Sequence, residues 1–169
     1  LKDSIASLSK LLDVRHTVLP ISEDSNLTLM GKDLDGNIIE GEEEITMARR
    51  QFEKIYYKEE PKVLPEVLTA LKEADLIIFS MGSLYTSVLP NVMCKEVKQV
   101  LKEAKAPIMY LCNVVTQPGE TDDFTVSDHV KLVNRYLDNK KVGAVIASKT
   151  KLDKEIAKKF QDDFEAACV

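Results

Sequence analysis

Three short apolar runs, Leu76-Ile77-Ile78-Phe79, Ile108-Met109-Tyr110-Leu111-Cys112 and Val142-Gly143-Ala144-Val145-Ile146, recur through the second half of the chain with helix-patterned segments between them. Runs this short, apolar without alternation, are the mark of strands covered on both faces, and strand–helix–strand connections make such strands parallel through right-handed crossovers. The intervening segments fit. Val67, Leu68 and Leu71 follow Pro65-Glu66; Met93, Val97, Val100, Leu101 and Ala104 follow Pro90; Val130, Val133 and Leu137 precede the third run. Each set recurs at three- and four-residue steps, the stripe of an amphipathic helix. A last helix is expected around Ile156, Ala157 and Phe160. The expected class is α/β, with parallel core strands between two helical layers.

The first half reads differently. Ile5, Leu8, Leu11 and Leu12 form a helical stripe ending near Asp13, with Asp3 or Ser4 available to cap it. His16 to Ile21 reads extended, and Leu27 to Met30 and Ile38-Ile39 flank Asp35-Gly36, a pair suited to the positive φ angles of a hairpin turn. A β-hairpin region over residues 14–58, within one domain spanning 1–169, is the expected organisation. Glu42-Glu43-Glu44 is expected as a solvated strand edge rather than a metal cluster, because no ordered loop spacing accompanies it.

Charge and cysteine usage narrow the function classes. Lys+Arg total 23 against Asp+Glu 28, a net −5, which argues against a general electrostatic grip on nucleic acid or an anionic membrane. No window has the uninterrupted apolar length of a membrane span. Cys94, Cys112 and Cys168 are odd in number and far apart, which suits reduced, buried thiols in a cytosolic protein.

Two polar loops hold the candidate chemistry. Parallel strands place the loops that follow them at one carboxyl edge, where helix amino termini and free N–H groups converge. The first, Gly82-Ser83-Leu84-Tyr85-Thr86-Ser87, offers a close backbone approach at Gly82 and hydroxyls beside N–H donors, which suits a phosphate or a sugar. It carries no lysine and is neither a P-loop nor a G-x-G-x-x-G turn. Spacing alone leaves a self-satisfied strand-to-helix turn equally open. The second, Asn113 to Thr121, contains the turn pair Pro118-Gly119 and side chains able to read hydroxyls or a base edge; on spacing alone the plain turn is the stronger reading, with Asn113 the residue least expected to be idle. His16 and His129 are too few for a histidine metal site, nothing around Ser83 or Ser87 resembles a nucleophile elbow, and Asp122-Asp123 reads as a solvated loop. Asp128-His129 is expected to cap a helix and form an interface hydrogen bond.

Ala74-Asp75-Leu76-Ile77-Ile78, Gly82 to Ser87 with Leu89-Pro90-Asn91, and Cys112-Asn113 with Thr116-Gln117-Pro118-Gly119-Glu120-Thr121 and Ser127-Asp128-His129-Val130 together resemble the YvcK-type gluconeogenesis factors of the CofD-like group. Val14-Arg15, Val18-Leu19-Pro20, Asp35-Gly36, Gly41-Glu42 and Leu64-Pro65-Glu66 fall in the same order. Ser80-Met81-Gly82-Ser83 departs from the Gly-Pro-Gly-Ser usual at the first loop. The resemblance begins partway through the family's length, so the family's amino-terminal half, which holds much of its nucleotide pocket, has no counterpart here.

The resemblance implies an incomplete Rossmann-like αβα fold with a β-hairpin insertion. It also implies a cytoplasmic bacterial protein that binds a UDP-type nucleotide sugar, requires no cofactor, and supports growth and cell shape on gluconeogenic carbon sources. Related transferases move phospholactate onto a deazaflavin, which is the alternative function. Residues carried over as pocket-lining are Gly82, Ser83, Tyr85 and Thr86 from the first motif and Asn113, Thr116, Gln117, Gly119 and Thr121 from the second. A sheet with strands missing would leave apolar surface bare, so association with a second copy or with the missing half is expected.

Overall fold

The computed structural model describes residues 1–149, 153, 155, 156, 158 and 159. Helix α1 (Lys2–Leu11) leads to an antiparallel sheet of β1 (Leu29–Asp33), β2 (Ile38–Glu40) and β3 (Phe52–Tyr57), with α2 (Glu42–Met47) between the last two. Then follow α3 (Pro65–Glu73), β4 (Ile77–Phe79), a π-helical turn (Leu84–Val88), α4 (Leu89–Met93), α5 (Lys95–Glu103), β5 (Ile108–Leu111), α6 (Val126–Tyr136) and β6 (Val142–Ile146).

The three apolar runs form one parallel sheet in the order β4-β5-β6. Ile77 lies opposite Ile108 and Phe79 opposite Tyr110; Met109 lies opposite Ala144 and Leu111 opposite Ile146. The strands that were to lie side by side and point the same way do so. Burial is less even than expected. Ile77, Ile108, Tyr110 and Cys112 enter a core shared with Val97 and Leu101 of α5 and Leu132, Val133 and Tyr136 of α6. The alternate residues lie on the other face, where Ile78 is 51% and Ile146 55% exposed. Among the described residues one face of the sheet is therefore packed and the other bare, and the unbroken apolar runs are legible as strands that need two covers.

The hairpin forms with Met30 opposite Glu40 and Lys32 opposite Ile38. Of the pair at its tip only Gly36 takes a positive φ, 90°, so the connection is a longer loop than a two-residue turn. Asp33 fastens it: its carboxylate accepts from the backbone of Asp35 (3.0 Å) and Asn37 (2.8 Å), from Asn37 Nδ2 (2.9 Å) and from Arg50 Nη1 (2.7 Å). Those donors, the Asn37 side chain foremost, hold the Asp33 carboxyl down at about 2.

Several expectations are corrected. Glu42, Glu43 and Glu44 are not a strand edge but the first turn of α2, where three carboxylates face the positive end of the helix dipole. Residues 16–21 form no strand; the adjoining Ser22 makes one antiparallel bridge to Val63. A third antiparallel strand, β3, pairs with β1 in full register apart from a shift at Asp33. The helix after Pro90 breaks at Cys94 into α4 and α5. No side chain caps α1, and its apolar stripe buries no residue. Cys168, Ala157 and Phe160 lie outside the described residues, and with them most of the expected last helix.

Two tyrosines tie the sheets together. Tyr136 Oη of α6 accepts from Ile55 N of β3 at 2.7 Å, and the Tyr85 ring meets Phe52 of β3 edge-on at 5.3 Å. No helix among the described residues is long and apolar enough to cross a membrane.

Candidate functional site

The turns after β4 and β5 meet at the carboxyl edge of the parallel sheet. Asn113, one residue past Cys112, points its side-chain amide at the neighbouring loop: Nδ2 donates to Gly82 O (2.9 Å), and Oδ1 accepts from Gly82 N (3.4 Å). This reciprocal pair satisfies a backbone donor and acceptor that a tight exit turn would otherwise leave bare. A second tie lies deeper. Ser83 Oγ donates to Glu120 Oε2 at 3.1 Å, and Gln117 Nε2 donates to Glu120 Oε1 at 2.8 Å. The Glu120 side chain is 0% exposed, and burial pushes its carboxyl above the ordinary glutamate range against the pull of the Ser83 hydroxyl.

The first loop enters its helix through an unusual turn. Ser83 caps it by accepting from Thr86 N at 3.3 Å, while Val88 N donates back to Ser83 O at 3.0 Å, a five-residue step. That extra residue turns Tyr85 inward: it is 1% exposed, and its hydroxyl accepts from Phe52 N at 3.4 Å. Gly82, Ser83 and Thr86 remain part-exposed and Ser87 is exposed. Ile78, Ser80, Met81, Gly82, Ser87 and Asn91 line a depression of about 290 Å³.

The second loop is largely a scaffold. Thr116, Glu120 and Thr121 are buried. Gln117 N donates to Thr121 Oγ1 (2.8 Å), and Thr121 N returns to Gln117 O (3.0 Å), closing the turn around Pro118-Gly119. Gly119 has φ +79° and sits so close to Arg49 that an added Cβ would stand 2.0 Å from that residue's carbonyl carbon. At the loop's exit Thr125 and Asp128 form a capping box on α6, with Asp128 N donating to Thr125 Oγ1 and Thr125 N to Asp128 Oδ2. His129 is buried, its Nδ1 3.0 Å from Thr125 O and its ring edge-on to Phe124. Asp128 thus caps the helix as expected.

Of the nine residues carried over, the structure joins Gly82 to Asn113 directly, and Ser83 to Gln117 through Glu120. It places Thr86 on the first loop's rim, Tyr85 in the core, Thr116 and Thr121 beneath the second turn, and Gly119 against Arg49. Sequence reasoning named Ser87 for its hydroxyl but carried over none of Glu120, Ser87 and Asn91 as pocket-lining. Nothing marks an acid in a polar loop as buried, although its place after Pro118-Gly119, where the chain doubles back, is a signal that could have been used. Among the described residues no group of three His, Cys, Asp or Glu side chains is placed to hold a metal ion. Neither loop carries lysine or arginine, so an anion seated there would be held by neutral N–H and O–H donors.

Residues 1–168 match the family described as 2-phospho-L-lactate transferase CofD. The gluconeogenesis factor of Bacillus subtilis is 34% identical over 159 residues, covering 94% of this chain and 50% of that protein. The gluconeogenesis factor of Halalkalibacterium halodurans is 42% identical over 130 residues, 76% of this chain and 40% of that protein. The crystal structure of a UPF0052 family member from Bacillus halodurans superposes with a TM-score of 0.91 at 34% identity, over 99% of this chain and 54% of that one. The chain spans about half the length of the curated relatives it matches. A family pattern met from residue 1 to residue 168, on a fold shared with a solved member, means that this chain belongs to the CofD family.

Proposed function

We propose that the protein carrying this chain is a gluconeogenesis factor: a cytoplasmic regulatory protein whose two clasped loops contact the phosphate or sugar part of a UDP-type nucleotide sugar. Occupancy controls its effect on growth and cell shape on gluconeogenic carbon. The observation that carries this is the Asn113–Gly82 pair, which holds two lysine-free, donor-rich loops together at the carboxyl edge of a parallel sheet. The names of its relatives support the gluconeogenesis-factor part of this reading. Calorimetric titration of UDP-N-acetylglucosamine into the full-length protein and into a Thr86→Ala, Asn113→Ala variant tests it. The variant is expected to lose affinity; equal affinity in both removes these loops from the pocket.

The family's description favours a second reading, a phospholactate transferase, and on that reading we propose a deazaflavin as the acceptor. Incubating the full-length protein with a deazaflavin acceptor and an activated phospholactate donor decides it by mass spectrometry, since absence of product counts against an enzyme. The bare sheet face suits association with a second copy or with the rest of the family fold, which sedimentation of the isolated 169-residue chain tests: a clean monomer that melts cooperatively contradicts it.

A further inference from the structure

Glu120 is a wholly buried acid that the proposed binding mode does not use. Its two oxygens face donors from two segments, Ser83 Oγ on the first loop and Gln117 Nε2 on its own. Ser83 Oγ also accepts from Thr86 N. A serine hydroxyl has a single proton to give. While Glu120 is ionised it can only accept, so that proton points inward at the carboxylate. Once Glu120 is protonated it can itself donate to Ser83 Oγ, with the same heavy atoms in the same places, and the Ser83 proton is released toward the loop's open side.

We propose that Glu120 is a positioning residue that governs whether Ser83 presents a hydrogen-bond donor to an anion on the first loop: withheld when the carboxyl is ionised, offered when it is protonated. The inference rests on the reading of that loop as an anion-binding turn. Protonation also removes a negative charge from directly behind the bound anion, so both effects run the same way. By linkage, affinity for an anionic ligand rises as pH falls through the Glu120 midpoint. The surroundings suit the role. From the π-helical turn, the titratable group facing Glu120 is the Tyr85 phenol, kept neutral by burial. On its own loop Gln117 and Thr121 do not titrate, and the exposed Asp122 is engaged by Gly119 N at 2.9 Å. From the 49–51 turn the Arg49 backbone abuts the loop at Gly119, and Arg49 is itself engaged by an interaction partner. Burial pushes the carboxyl toward its neutral form, while the Ser83 and Gln117 donors at its two oxygens favour the ionised one.

The test is the pH profile of UDP-N-acetylglucosamine binding to the full-length protein and to Glu120→Gln. That ligand's pyrophosphate is esterified at both ends and does not titrate between pH 5 and pH 8. Glutamine keeps both contacts, donating to Ser83 and accepting from Gln117, and so mimics the protonated acid. The wild type is expected to bind about tenfold more tightly at the acid end, the size of one hydrogen bond to a charged group. The variant is expected to bind above the Glu120 midpoint as the wild type does below it, with a flat profile. Parallel profiles overturn the proposal. If neither protein binds the nucleotide sugar at any pH, the proposed function fails and a ligand-free measurement decides the switch. In a carbon-13 titration of the Glu120 carboxyl, the midpoint is expected above the ordinary glutamate range and higher still in Ser83→Ala, which removes the donor that favours ionisation. A midpoint in the ordinary range, or one indifferent to Ser83→Ala, overturns it.

Discussion

The two loops at the carboxyl edge leave strands of the same sheet, yet they are built on opposite plans. The loop after β4 buries Leu84 and Tyr85 but keeps its polar residues near the surface: Ser80, Met81, Gly82 and Ser87 border a depression, Ser87 is exposed, and the polar restraints are the Ser83 cap and two ties to the neighbouring loop. The loop after β5 is anchored on every side. It closes on itself through Gln117 and Thr121, abuts Arg49 at Gly119, and ends in the Thr125–Asp128 capping box. One loop keeps polar groups at the surface and the other is packed and tied down, so equal donor content in two sequences does not mean equal surroundings. Variants in the second loop should act through stability, and variants in the first through binding.

The largest expected effect is at Gly119. Alanine there must adopt φ +79° and bring a methyl group into the backbone of Arg49. A strained backbone and a clash with an immovable main chain together cost about 3 kcal/mol or more. Chemical denaturation of Gly119→Ala should show the loss directly. A near-wild-type unfolding midpoint would mean that the second loop is free to shift, and the scaffold role would go with it.

Asn113→Ala should come next, removing both bonds to Gly82 and stranding that residue's N–H and C=O, a cost of about 1–2 kcal/mol. It separates the loops most cleanly: hydrogen exchange should quicken across 80–87 while 115–121 stays protected. Uniform loss of protection in both segments would show that the two loops open together.

These contrasts explain which features could be read from sequence. The parallel strands could, because Leu76 to Phe79 and Ile108 to Cys112 are too short and too apolar for anything but strands, and the helical spacing between them leaves one way to connect them. Strand β3 could not. In Phe52-Glu53-Lys54-Ile55-Tyr56-Tyr57 two charged residues interrupt the alternation, and the segment is made a strand by pairing with β1 and by the Tyr136 hydroxyl on Ile55 N. Glu42 to Glu44 read as solvated in either conformation, so only the helix dipole distinguishes them. Asn113 stood out because an amide at a strand exit has neighbours to satisfy. The burial of Glu120 and the inward turn of Tyr85, which the resemblance had put at the pocket, could not be read, since both are created by tertiary packing.

Thr125→Ala tests the second loop at its far end. The hydroxyl accepts Asp128 N and donates to Asp128 Oδ2 at 2.7 Å, and losing such a cap costs about 1 kcal/mol. The donors that lower the Asp128 carboxyl, Thr125 first, make the cap an ionic one, present above the ordinary aspartate range and lost as pH falls below it. The gap between Thr125→Ala and wild type should therefore narrow in acid, when followed by thermal melts down a pH series. A constant gap would put the cost in packing rather than in the cap.

Ser87→Ala should have the smallest effect on stability and for that reason tests the contrast most sharply. Ser87 is exposed, and the bond it makes to the Asn91 side chain is through its carbonyl, which alanine keeps. A surface change of this kind stays within about 0.5 kcal/mol. The same residue borders the depression at the mouth of the first loop. Calorimetry with UDP-N-acetylglucosamine should then report weaker binding from a protein that unfolds at the wild-type midpoint. If Ser87→Ala lowers the midpoint and leaves binding alone, the first loop is a structural turn like the second, and the division of labour between them is lost.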